Sequence, residues 1–196
     1  AAARRSARWS PRARSDTRVQ GIGRTAFIAA LCGPAQVARP SPGVPMDPND
    51  PATTLHEHLR LIPQVLAMQV QLAGERDGRL CLRAPLGPNV NDKGTAFGGS
   101  LVSLMTLAGW CLVSGRLQQA GLEAEVYVAD SQVRYLAPLR ADLVAEAWLE
   151  EGDWAAFLAG FRERGKARCR IAARVCLPEG GEATTFSGRF VALAKA

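Results

Sequence analysis

Residues 98–119, GGSLVSLMTLAGWCLVSGRLQQ, constrain the fold more than any other part of this 196-residue chain. Leu101, Val102, Leu104, Met105, Leu107, Trp110, Leu112 and Val113 recur at helical spacing and cover nearly every side of the helix they define. Such a helix is stable only when something wraps it. Its ends are too polar for a membrane span, and no run approaches the roughly 20 apolar residues that a span needs. The expectation is therefore a helix at the centre of a folded domain.

The flanking sequence supplies the wrapping. Thr53 or Thr54 can cap a helix running to about Ala67, which Pro63 should kink or break. Residues 68–75 and 79–84 read as two strands about an Asp77-Gly78 hairpin turn. Residues 85–97 are loop by composition. After the apolar helix, residues 125–136 and 142–150 read as strands around Pro138, 153–163 as a short helix, and 183–194 as a last strand. Residues 166–176 alternate: Ala167, Cys169, Ile171, Ala173 and Val175 on one face, Lys166, Arg168, Arg170 and Arg174 on the other. An α+β chain of this order, strands, one apolar helix, then more strands, predicts a curled antiparallel sheet wrapped around one long buried helix, the hotdog fold.

Charge divides the chain in two. The formal net charge is +6, but residues 1–45 hold eight Arg, no Lys and one acid, Asp16, while the remainder is close to neutral. The basic excess therefore belongs to a tail and does not indicate nucleic-acid binding. Residues 1–51 read as a disordered Arg-, Pro- and Ala-rich segment, and residues 52–196 as the domain. The tail is sequence upstream of Met46 or a transit-like, acid-poor presequence; Ala26–Cys32 is too short and too late for a secretory signal. Cys32, Cys81, Cys111, Cys169 and Cys176 are odd in number and form no C-x-x-C pair. They read as buried free thiols in a reducing, cytoplasmic compartment, not as disulfides or a zinc site.

The loop entering the helix carries the chemistry. Asn91-Asp92-Lys93-Gly94-Thr95-Ala96-Phe97-Gly98-Gly99-Ser100-Leu101, continuing to Gly109-Trp110, resembles the YiiD C-terminal putative thioesterase family, and Tyr135-x-x-Pro138 fits the same pattern. The similarity covers about residues 54–195. More distantly, N-x-x-G-x-x-H-G-G is the loop-to-helix signature of hotdog acyl-CoA thioesterases, with Phe97 here in place of the usual His. The resemblance implies a thioester hydrolase, at least homodimeric, whose substrate is carried by coenzyme A or acyl carrier protein and which needs no bound cofactor.

Physical chemistry is consistent with that site. Gly98 and Gly99 open the helix, whose first-turn amides lack intrahelical acceptors and sit at the positive end of the helix dipole. A thioester carbonyl placed there would have its developing charge stabilised. Phe97, Gly98, Gly99, Ser100 and Ser103 are thus the expected substrate contacts, and Gly99, Ser103, Thr106 and Trp110 share one helical face. A Gly-Gly pair also serves a tight turn with close packing.

The general base is the weak point. In similar thioesterases the position of Thr106 often carries an acid; this helix has no carboxylate. Thr106 can hold water or simply bond back to the carbonyl four residues earlier. Asp130, expected on one strand face with Val126, Val128, Gln132 and Arg134, is the first candidate base, and a solvated position beside Gln132 is its structural alternative. Asp92 is the second candidate, or a turn former. Asn91 can bond the thioester, orient water or hold the loop. Ser100 has no G-x-S-x-G elbow, and His56 and His58 do not share a helical face, so neither a Ser–His dyad nor a metal pair is expected. Arg168, Arg170 and Arg174 could meet coenzyme A phosphates, or form a solvated face. Two other functions remain open on this fold: an acyl-CoA or lipid-binding module without catalysis, and a dehydratase of 3-hydroxyacyl thioesters.

Overall fold

In the computed structural model the described residues run from 51 to 195, with side chains from Leu55 onward. The expectations for residues 1–50, Cys32 included, lie outside the described residues, whereas capping by Thr53 or Thr54 is corrected, because the helix already runs from Pro51 and both residues fall inside it. Pro63 breaks the first helical segment as expected, giving α1 (Pro51–Arg60) and α2 (Pro63–Ala67). Met68 closes α2 and Gln69 takes a φ of 56°, so strand β1 begins at Gln71 and not at 68. The hairpin of β1 (Gln71–Arg76) and β2 (Arg79–Ala84) turns on Asp77 and Gly78, both at positive φ, the backbone that a two-residue hairpin loop requires.

After a loop with one short 3-10 turn comes α3 (Gly98–Gln119). Then follow β3 (Ala124–Tyr135), β4 (Leu143–Glu151), α4 (Trp154–Arg164), β5 (Lys166–Cys176) and β6 (Glu182–Ala194). The strands form one antiparallel sheet in the order β1-β2-β4-β5-β6-β3. α3 packs on β2, β3, β4, β5 and β6. This is the hotdog arrangement.

By length and composition alone α3 could cross a membrane; here it lies against the sheet, with Leu104, Met105, Ala108, Cys111 and Val113 fully buried. Gly109 explains how closely helix and sheet approach. A β-carbon there would sit 2.7 Å from the Phe190 ring and 3.3 Å from Ile171, both in the core. The sheet does not enclose the helix completely. Gly99, Val102, Ser103, Thr106, Leu107 and Trp110 form a half-buried stripe on its open side. α1 and α2 lie over part of that stripe, through an edge-on His58–Trp110 contact and a 3.4 Å hydrogen bond from Gln64 to the Ser103 hydroxyl.

Candidate functional site

The loop from Pro85 to Phe97 delivers the start of α3, and a buried asparagine holds it. Asn89 donates through Nδ2 to the carbonyls of Met68 (2.9 Å) and Pro85 (2.8 Å), and its own carbonyl accepts the Phe97 amide at 2.7 Å. The Ala96 amide donates to the Leu139 carbonyl, tying the loop to the segment after β3. Asn91 works inside the loop. Its Nδ2 donates to the Thr95 hydroxyl at 2.9 Å, and its Oδ1 accepts from the backbone of Lys93 (2.9 Å) and Thr95 (3.1 Å). Of its three expected roles, the geometry displays the structural one. Asp92 is exposed and pairs with its neighbour Lys93 at 2.8 Å, as a turn residue does.

At the start of α3 no side chain caps the helix, because the N-cap residue is Phe97. Among the described residues the amides of Gly98, Gly99 and Ser100 have no acceptor. Three N–H groups therefore converge, unsatisfied, at the positive end of a long dipole. Their surroundings are aromatic and accessible: Phe97 is 55% exposed and Tyr135 58%, with Val90 and Leu136 also exposed. The Phe97 ring lies against Gly99 and the Tyr135 ring against Gly98, where a β-carbon would be 3.3 Å from Tyr135 Cε1. Tyr135 Oη also donates to the Gly98 carbonyl at 3.2 Å. This arrangement can take an oxyanion or a polarised carbonyl with a partly apolar substituent.

Thr106 lies two turns along the open stripe, half-buried, and its hydroxyl makes no hydrogen bond among the described residues; the back-bond to the helix carbonyl is not formed. Gly98, Gly99, Ser103 and Thr106 are thus half-buried along one side of the helix, with Ser103 under Gln64 of α2, while Ser100 is buried.

Asp130 goes elsewhere. The expectation that it shares a face with Val126 and Val128 is corrected by a β-bulge. The pairing of β3 with β6 shifts between Val128 and Asp130, leaving Ala129 as the extra residue. Val128 stands opposite Phe190 of the core, whereas Asp130 stands opposite exposed Arg189 and forms an ion pair with it. The carboxylate therefore lies on the outer face of the sheet, turned from the start of α3.

The basic stripe also divides on that outer face. Arg174 binds Glu146 through Nε (3.2 Å) and Nη2 (3.1 Å), Arg170 reaches the Ser187 hydroxyl, and Arg168 stays exposed. Glu146 is a carboxylate buried to 3% exposure on the sheet's outer side. No disulfide joins the described cysteines. Burial pushes the Cys111 and Cys169 thiols up to about 12 and, with help from Glu146, that of Cys81 to about 11, so these three are not nucleophiles near neutrality. Among the described residues no group of His, Cys, Asp and Glu is placed to hold a metal.

Two contributors have weak or no signal in the sequence. Asn89 carries no motif signal, since nothing local shows that it is buried. Tyr135 was visible only as half of Tyr-x-x-Pro, and its meeting with Gly98 spans 37 residues of sequence.

A model of the family described as "Putative thioesterase (yiiD_Cterm)" matches residues 52–194. Among solved structures, a protein of unknown function from Chlorobaculum tepidum is 26% identical with a TM-score of 0.67, the match covering 74% of this chain and 97% of that one. A putative thioesterase from Shewanella oneidensis is 28% identical, with a TM-score of 0.64 and coverage of 71% and 98%. A Pseudomonas aeruginosa protein at 23% identity and a TM-score of 0.62, with coverage of 73% and 96%, shares the fold.

Proposed function

The chain belongs to the YiiD C-terminal putative thioesterase family, and from that premise we propose that it hydrolyses an acyl thioester carried by coenzyme A or acyl carrier protein. The observation that carries the proposal is the set of amides at Gly98, Gly99 and Ser100 that have no acceptor among the described residues, beside the exposed rings of Phe97 and Tyr135. In this mechanism the thioester carbonyl oxygen accepts from these amides. Water held near Thr106 attacks the carbonyl carbon, and negative charge gathers on the bound oxygen, where fixed dipoles stabilise it without reorganising. Collapse of the tetrahedral intermediate expels the thiolate. Asn91 serves by holding the loop.

The acyl chain runs along the open stripe of α3. Gly99 and Trp110 are eleven residues apart, about 16 Å of helix. Trp110 borders a cavity of about 480 Å³ that Ser114, Leu117 and Leu122 also line, which would receive the far end of the chain.

The base comes from a second copy of the chain in this proposal. α3 has no carboxylate, and the Asp130 carboxylate is paired with Arg189 on the opposite face. A homodimer or higher oligomer is supported by β3, an edge strand along which Tyr127–Gln132 are exposed on both faces, Tyr127 and Val128 included. The lack of a carboxylate on α3 equally favours a second reading, a module that binds acyl-CoA without hydrolysing it.

The deciding experiment incubates the protein with acyl-CoAs of graded length and records free thiol release. Chain-length-dependent turnover supports the hydrolase. Acyl-CoA retained on the protein without thiol release sinks the hydrolase and leaves the binding module.

A further inference from the structure

Tyr135 ends β3 and reaches across to the first residue of α3. Its ring is mostly exposed, so it is not held there by core packing. What it does is specific: the phenolic O–H donates to the Gly98 carbonyl at 3.2 Å, and the ring touches Gly98 at the place where any other residue would carry a side chain.

The bonded carbonyl and the Gly99 N–H are the two ends of one peptide group. Donation to the oxygen increases the amide resonance that draws electron density from the nitrogen, which makes that N–H a stronger donor; hydrogen bonds in series polarise one another in this way. The contact also restricts rotation of the peptide plane. That restriction matters because the plane joins two consecutive glycines, the residues with the widest backbone freedom. Within the helix the Gly98 carbonyl accepts the Val102 amide, and Tyr135 adds a second donor to the same oxygen, while the N-cap residue, Phe97, offers no side-chain hydrogen bond.

We infer that Tyr135 is a positioning residue for the carbonyl-binding site: its hydroxyl orients and polarises the Gly98–Gly99 peptide so that the Gly99 amide is aimed and strengthened as a donor to the substrate oxygen. The inference rests on the thioesterase reading for its catalytic consequence, but not for its structural one. Tyr135 itself does not touch the reacting atoms.

Tyr135→Phe removes the hydroxyl and keeps the ring, so packing against Gly98 survives. In the protein labelled with 15N-glycine, the Gly99 amide proton resonance of Tyr135→Phe is expected to move upfield of its wild-type position, with the thermal midpoint unchanged. With the acyl-CoA that wild type hydrolyses fastest, kcat is expected to fall about three- to tenfold, the range of one ordinary hydrogen bond, while KM stays the same. A role in folding alone would lower the midpoint and leave the kcat to KM ratio of the folded fraction intact. A Gly99 resonance that does not move overturns the inference, as does full kcat in a variant whose resonance has moved. Because the spectrum needs no substrate, a wild-type protein that releases no thiol sinks the hydrolase reading while the Gly99 shift still decides the effect of Tyr135.

Discussion

The aromatic ring of Phe97 fills the space that a side chain on Gly99 would occupy. The N-cap residue of α3 thus packs back onto its second residue, and the two positions constrain each other. Gly99→Ala forces the ring outward, over the amides that the carbonyl must reach. Since Phe97 is exposed it can yield, so the cost to folding is expected to be small, about 1 kcal/mol, at the low end for overpacking. Thiol release should fall at least about tenfold, because one displaced donor costs that much or more at an oxyanion site. The restored pair Gly99→Ala with Phe97→Ala should recover part of the loss. Equal activity in wild type and Gly99→Ala would remove these amides from the mechanism.

Thr106 and Asp130 separate the open stripe of α3 from the outer face of the sheet. Thr106→Val keeps the shape and removes the hydroxyl, and should lower kcat about tenfold as its water is lost. Asp130→Asn breaks only an exposed pair with Arg189, worth about 0–1 kcal/mol, and should leave kcat within about twofold. Steady-state kinetics on the two variants checks both. A collapse in Asp130→Asn would mean that assembly brings that carboxylate into a site.

Gly109 is set against Phe190 and Ile171 in the centre of the core. Alanine there would gain about 1 kcal/mol of helix propensity, but overpacking costs about 1–3 kcal/mol. Both neighbours are buried in the core, so the second effect should win. Gly109→Ala is expected to lower the urea midpoint, and Gly109→Val to lower it further. An increased midpoint for Gly109→Ala would show that helix and sheet are less closely packed.

Ionisation of the buried thiols links stability to alkaline pH. Cys111 and Cys169 have folded-state values raised to about 12 from an ordinary value of 9.0, because burial disfavours the thiolate. The unfolded chain therefore loses these protons first. Stability is undiminished below pH 9 and falls between pH 9 and 12, by up to about 1.4 kcal/mol per pH unit for each thiol. Thermal midpoints measured from pH 7 to 11 should be flat and then decline, and Cys111→Ala should decline less steeply. Slow alkylation of Cys111 and Cys169 in the folded protein by iodoacetamide at pH 8 is the companion expectation.

How much the sequence determined can be seen at particular residues. The all-round apolar pattern of residues 98–119 was enough to place α3 in a core, and Asp77-Gly78 and Pro63 were enough to place a hairpin turn and a helix break. These signals are local: periodicity, φ preference and a missing amide act within a few residues. The loop motif likewise marked Gly98 and Gly99 as the start of the helix. Other features depended on which surfaces met. Alternation along β3 predicts one face for Val128 and Asp130, yet an extra residue at Ala129, set by the pairing with β6, turns Asp130 outward to Arg189. Asn89 and Asn91 look equally polar in sequence, but only the first is buried, because the loop folds over Met68 and Pro85. The Tyr135 hydroxyl meets Gly98 only once the sheet has curled around α3. Local propensity determined the elements, and tertiary packing alone decided which side chains reach the amides, since that choice depends on register and curvature that no short stretch of sequence contains.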